Sequence, residues 1–195
     1  LKIIGLTGGV GSGKSTIAKL IAQNFNACVI IADEVGHLCM EKGQPCYRDI
    51  ITEFGVEIMT AEEKIDRAKL AEIVFQNAEL LKNLNAIIHP RVREYIEAQI
   101  AQVQSEGKAD YIFIESAILL EAGYENICDE FWFVSVSDEI RRKRLKESRG
   151  YSDEKITHIL QNQKNDSYFK TKCNVILDNN GESEKMLSVL KVLLV

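Results

Sequence analysis

Residues 5–16 read "GLTGGVGSGKST", which places Gly5, Gly8, Gly9, Gly11 and Gly13 within nine positions. Glycine loses more backbone freedom on folding than any other residue, so this density calls for a reason. The stretch satisfies G-x-x-x-x-G-K-[ST] through Gly8, Gly13, Lys14 and Ser15. An apolar run, "LKIIGLT" (1–7), precedes it, and Ile17, Leu20, Ile21 and Phe25 follow at helical spacing. Strand, glycine loop and helix start together make an anion cradle. Main-chain N–H groups turn inward with no Cβ in the way, and the unsatisfied amides of the helix point at the same anion. Gly9, Gly11 and Ser12 complete the cradle. Lys14 is placed to reach β- and γ-phosphates, Ser15 to offer its hydroxyl to Mg²⁺, and Thr16 to approach the α-phosphate. The stretch therefore predicts nucleotide binding.

The rest of the chain fits around this unit. "ACVIIAD" (27–33) is a second β-branched run, and it closes a right-handed strand–helix–strand unit of a parallel sheet. Asp33, at the end of that run, belongs to the sheet edge where ligands bind in such folds. There it would accept a proton from an attacking hydroxyl or orient it through Mg²⁺. A plain helix N-cap explains it equally well. His37 lies one turn on and would face the same cleft, or it is simply a half-exposed helix residue.

No strand is evident from 34 to 107. Leu70, Ile73, Val74, Leu80, Leu81 and Leu84 suggest helices there. Ile88, Val92, Ile96, Ile100 and Val103 mark a longer one that Pro90 would help start. The segment reads as a helical insertion into a core formed by 1–33 and 108–195. Strands "DYIFIES" (110–116), "FWFVSV" (131–136) and "VIL" (175–177) complete the core. Helices are expected from Asp138 to Ser148, from Ser152 to about Gln163, and through Met186, Leu187, Leu190, Leu193 and Leu194. Near-continuous apolar strands alternating with helices predict a parallel five-stranded sheet covered on both faces. The fold class is α/β, a three-layer P-loop NTPase type with a helical lid over about 138–165.

Composition restricts the function classes. The net charge of −5 disfavours a dedicated nucleic-acid binder. No apolar run is long enough to span a bilayer, and no basic-then-apolar leader opens the chain. A cytoplasmic enzyme acting on small molecules, and monomeric, is the expectation. The five cysteines form no CxxC pair and read as scattered reduced thiols.

Three further groups carry candidate chemistry. Glu115 ends the third strand and is a second carboxylate for the magnesium site. His89-Pro90-Arg91 is either a substrate contact or a helix start. The run "EIRRKRLKESR" (139–149) surrounds a helix with Arg141, Arg142, Lys143, Arg144, Lys146 and Arg149. Such runs are often solvated faces, but phosphoryl transfer needs positive charge delivered to the transferring group. A GTPase is disfavoured although "DEVG" (33–36) and "QKND" (163–166) imitate its motifs, because neither stands where that fold requires it. A non-catalytic nucleotide sensor is the other distant alternative.

The ordered set resembles the dephospho-coenzyme A kinase family over essentially the whole chain. It comprises "GLTGGVGSGKS" (5–15), "AD" (32–33) with His37 behind it, "HPRV" (89–92) and "ESAILLEAGYE" (115–125). It continues with Arg144-Leu145, Gln163 and "NVILDNNG" (174–181). The resemblance implies transfer of the ATP γ-phosphoryl group, with Mg²⁺, to the ribose 3′-hydroxyl of dephospho-coenzyme A. It makes Asp33 the base, Arg144 a lid arginine, the insertion an acceptor-binding subdomain, and Asn179 a neighbour of the ATP base. His37, His89, Glu115, Arg141 and Arg149 are the remaining substrate-binding candidates. Departures occur at "AILLE" (117–121), where the family has "PLLFE", and at "IAD", which replaces "DAD". Arg141 stands where a glutamine is common, and a second lid arginine aligns with Ser148, one position before Arg149. The chief rival is a nucleoside monophosphate kinase or another small-molecule P-loop kinase.

Overall fold

The computed structural model describes residues 1–194. The chain divides into one unit formed by Leu1–Ile31 with the chain from Glu106 onward, and another formed by Ala32–Ser105.

In the first unit, strand β1 (Lys2–Thr7) runs directly into the glycine loop, and helix α1 (Lys14–Asn24) leaves it. Strands β2 (Ala27–Ile31), β3 (Tyr111–Glu115), β4 (Glu130–Ser135) and β5 (Val175–Asp178) complete the sheet. The order is β2-β3-β1-β4-β5, and every neighbouring pair is parallel. The register sets Leu6 beside Glu115 and Thr7 beside Phe133, while Ile31 also pairs with Glu115. All strand C-termini therefore share one edge, and the glycine loop hangs from the middle of it.

The sequence explains the double cover. Ile4, Leu6, Phe113, Trp132 and Leu177 bury one face against Ile17 and Ile21 of α1 and against Met186 and Leu190 of α9 (Ser183–Leu193). Phe113 and Trp132 meet edge to face at 5.4 Å. On the alternate face, Phe133 stacks at 4.8 Å on Phe169 of α8 (Asp166–Lys172). Fully burying each such side chain contributes on the order of 2 kcal/mol. Helices α6 (Asp138–Arg149) and α7 (Asp153–Gln161) carry the segment anticipated as a lid. Ser137 caps α6 and Ser152 caps α7.

The second unit is helical: α2 (Ala32–Cys39), α3 (Pro45–Phe54), α4 (Arg67–Phe75) and α5 (Ala78–Glu106). Ile50, Phe54, Ile58, Leu70, Leu84, Val92 and Ile96 are buried. Its only pairing of strand type among the described residues is an antiparallel bridge between Met59 and Ile65.

Three expectations change. β2 stops at Ile31, so Asp33 stands in the first turn of α2 and does not end the strand. Pro90 does not start a helix; it lies inside α5, which begins twelve residues earlier at Ala78. Asn77 there accepts from the amides of Glu79 and Leu80. Proline removes one helical hydrogen bond, and the buried stripe of Leu84, Val92, Ile96 and Ile100 outweighs that loss. Finally, α8 had no counterpart in the sequence reading.

All five cysteines are free thiols. Burial pushes the Cys128 thiol up to about 12. Among the described residues, no helix is long and apolar enough to cross a membrane.

Candidate phosphate-binding site

The loop owes its shape to three glycines with positive φ: Gly8 at 150°, Gly11 at 81° and Gly13 at 92°. Gly13 is the N-cap of α1 and accepts from the amides of Thr16 and Ile17, each at 3.1 Å. A Cβ built on Gly13 would overlap Nδ2 of Asn179. Gly13→Ala should therefore cost about 1–2 kcal/mol for the left-handed backbone, and more for the displaced asparagine. The expected result is a melting temperature lower by at least several degrees and weakened ATP binding, checked by thermal unfolding and calorimetry.

Lys14 is buried at the first position of α1. Its Nζ donates to the carbonyl of Gly8 at 2.8 Å and of Gly9 at 3.2 Å, and lies 3.8 Å from Oε1 of Glu115. Glu115, buried at the C-terminus of β3, accepts from the Ser15 hydroxyl at 3.3 Å. A cation, a carboxylate and a hydroxyl thus converge where the dipole of α1 adds positive potential. The hydroxyl and carboxylate oxygens are hard donors of the kind Mg²⁺ takes. Among the described residues, no cluster of three or more His, Cys, Asp and Glu suits a metal.

A second layer grips the loop from outside. The buried Asn179, just beyond β5, donates through Nδ2 to the carbonyl of Ser12 at 2.7 Å. Arg144 of α6 donates to the same carbonyl at 3.3 Å and to the carbonyl of Asn179 at 2.9 Å. Arg141, one turn earlier, is buried, and its Nη2 lies 3.6 Å from Oδ1 of Asp166. Gln163 accepts through Oε1 from the amide of Val10 at 3.2 Å. A Cβ on Gly9 would stand 2.7 Å from that Oε1 and 3.0 Å from Nη1 of Arg141. Gln163, Arg141 and the loop therefore meet at one point.

The structure brings Gly8, Gly9, Gly11, Ser12, Gly13, Lys14, Ser15, Glu115, Arg141, Arg144 and Asn179 into this one group. Thr16 is exposed on the first turn of α1. Arg149 does not join these contacts: it is exposed at the end of α6, its guanidinium 5.9 Å from the ring centre of Tyr151. Ser148 turns its hydroxyl back onto the Arg144 carbonyl at 2.6 Å. Asp33, His37 and His89 are exposed residues of the helical unit. His37 lines a cleft of about 740 Å³ with Met40, Lys42, Thr60, Lys64 and Arg67.

Sequence reasoning met Asp166 only as part of an imitated motif and gave neither it nor Gln163 a contact. Both stand in the "QKND" segment that imitates a guanine-reading motif. Here its glutamine serves a loop amide and its aspartate an arginine, which leaves that motif no base-reading role.

The Dephospho-CoA kinase family model matches residues 2–185. A dephospho-CoA kinase of Carboxydothermus hydrogenoformans is 38% identical, over 98% of this chain and 94% of its own. The crystal structure of TT1252 from Thermus thermophilus superposes with a TM-score of 0.83 at 29% identity, covering 99% of this chain and 96% of that one. Dephospho-CoA kinase from Campylobacter jejuni gives 0.70 at 27% identity, covering 98% and 94%.

Proposed function

Because the chain belongs to the dephospho-CoA kinase family and is a kinase of coenzyme A biosynthesis, we propose that its phosphoryl donor is ATP, taken with Mg²⁺ by the glycine loop, and that Asp33 serves the acceptor. The reaction phosphorylates the ribose 3′-hydroxyl of dephospho-coenzyme A. The observation that carries the site assignment is the convergence of Lys14, Ser15 and Glu115 on the α1 N-terminus.

Each residue has a role in this scheme. Loop amides and Lys14 hold the β- and γ-phosphates, while Arg144 and Arg141 place positive charge beside the group being transferred. Phosphoryl transfer asks little covalent chemistry of a protein, so positioning and charge stabilisation dominate. Ser15 and Glu115 would hold Mg²⁺, which supplies further neutralisation of the phosphate oxygens when bound. Asp33 accepts the proton of the ribose hydroxyl late in transfer, when that poor acid has become strongly acidic. Supporting this, β2 delivers the chain to the loop's own sheet edge at Ile31, in register with Glu115, two residues before Asp33. The helical unit receives the acceptor; its cleft at His37 is lined by Lys64 and Arg67, by Lys42, which is paired to Glu63, and by Glu41 and Asp66. Asn179 acts here through the loop backbone, as its bond to Ser12 suggests. The enzyme works on soluble metabolites, as a cytoplasmic monomer.

An ADP-release assay tests the reading. Turnover is expected with dephospho-coenzyme A and not with AMP, other nucleoside monophosphates or shikimate. Turnover with AMP and none with dephospho-coenzyme A would overturn it.

A further inference from the structure

We propose that Asp166 is a positioning residue for phosphoryl transfer: it fixes the Arg141 guanidinium against the phosphate loop. The proposal rests on the loop being the nucleotide site, as argued above, and extends it to a residue that touches neither the loop nor the group transferred.

The Arg141 side chain is only 7% exposed. A buried guanidinium needs a counter-charge, and without one the side chain is destabilised or driven out of place. Asp166 supplies that charge, but at 3.6 Å it is an ion-pair neighbour and not a hydrogen-bond acceptor. Nε of Arg141 is buried with no hydrogen-bond partner. The arginine is therefore held by charge, with a buried donor left without a hydrogen bond. Its Nη1 stands 3.0 Å from where a Gly9 Cβ would be, so the guanidinium lies directly on the loop.

Asp166 is itself anchored. Its Oδ2 accepts from the Ser135 hydroxyl at 3.1 Å, and Ser135 is the last residue of β4. Rigidity thus runs from the sheet through Ser135 and Asp166 to Arg141. Gln163, three residues earlier on the same turn, bonds the Val10 amide. One short turn therefore fixes both the loop and the arginine above it.

A purely structural role is the competing account, since Asp166 also begins α8 and an acidic residue there stabilises the helix. A double-mutant cycle separates the two. Wild type, Arg141→Ala, Asp166→Ala and the double variant are compared by ADP release well below their melting temperatures, with kcat and KM for ATP resolved. Asp166→Ala is expected to raise KM for ATP about tenfold when Arg141 is present and less than about twofold when it is absent. Asp166→Glu should restore part of the loss. Asp166→Asn, nearly isosteric, replaces Asp166→Ala if that variant does not fold. Equal losses in both backgrounds, or an unchanged or lowered KM, would overturn the proposal. So would an Arg141→Ala variant with normal KM for ATP; loss of ATP binding in Lys14→Ala would then leave the nucleotide site standing without it.

Discussion

Lys14→Ala is expected to lower kcat/KM for ATP by about two to three orders of magnitude, the usual cost of deleting one donor aimed at developing charge. The ammonium is held at the loop. It is buried, spans the carbonyls of Gly8 and Gly9, and stands 3.8 Å from Glu115. Removing it takes positive charge from the phosphates and from a buried carboxylate at once. Both binding and rate should therefore fall, and kcat alone should fall when ATP is saturating. Calorimetric titration with ATP and steady-state ADP release check the two parts. Normal kcat with only a raised KM would limit Lys14 to ground-state binding.

Asp33→Asn is the second large effect, of the opposite kind. ATP affinity should stay within about twofold of wild type, while kcat drops by about 10²–10⁴, the range for loss of a general base. The substitution keeps size and shape, and Asp33 is an exposed first-turn residue of α2. Its stability cost is about 0.3–1 kcal/mol, set by the helix dipole. Titration with ATP and turnover with dephospho-coenzyme A measure the split. Near-normal turnover would remove Asp33 from the reaction.

Sequence legibility followed the range of the forces involved. The β1–loop–α1 unit could be read because glycine spacing, apolar period and the lysine lie within twenty residues and report one local geometry. Sheet content was equally plain, since strands buried on both faces must be apolar throughout. The α5 start was misread because proline rules are local, while the Asn77 cap and the stripe from Leu84 to Ile100 act over the full helix. Asp33 was set on the strand because "ACVIIAD" is apolar to its last position, although hydrogen-bonded pairing ends at Ile31. The roles of Gln163 and Asp166 were hidden for a different reason. Val10 and Gln163 are 153 positions apart, and no pattern in a single chain states which loop amide a distant glutamine will meet. Asn179 belongs to the same class: a turn-like "DNNG" gives no hint that its amide will reach Ser12.

The outer grip on the glycine loop also bears on how fast the protein can work. Asn179 and Arg144 hold Ser12, Gln163 holds Val10, and β1 is flanked by strands on both sides. The disorder that so many glycines would otherwise enjoy is therefore surrendered once, as the sheet assembles. Each later catalytic cycle meets a loop already in shape, and less of the free energy of binding goes into stilling the chain.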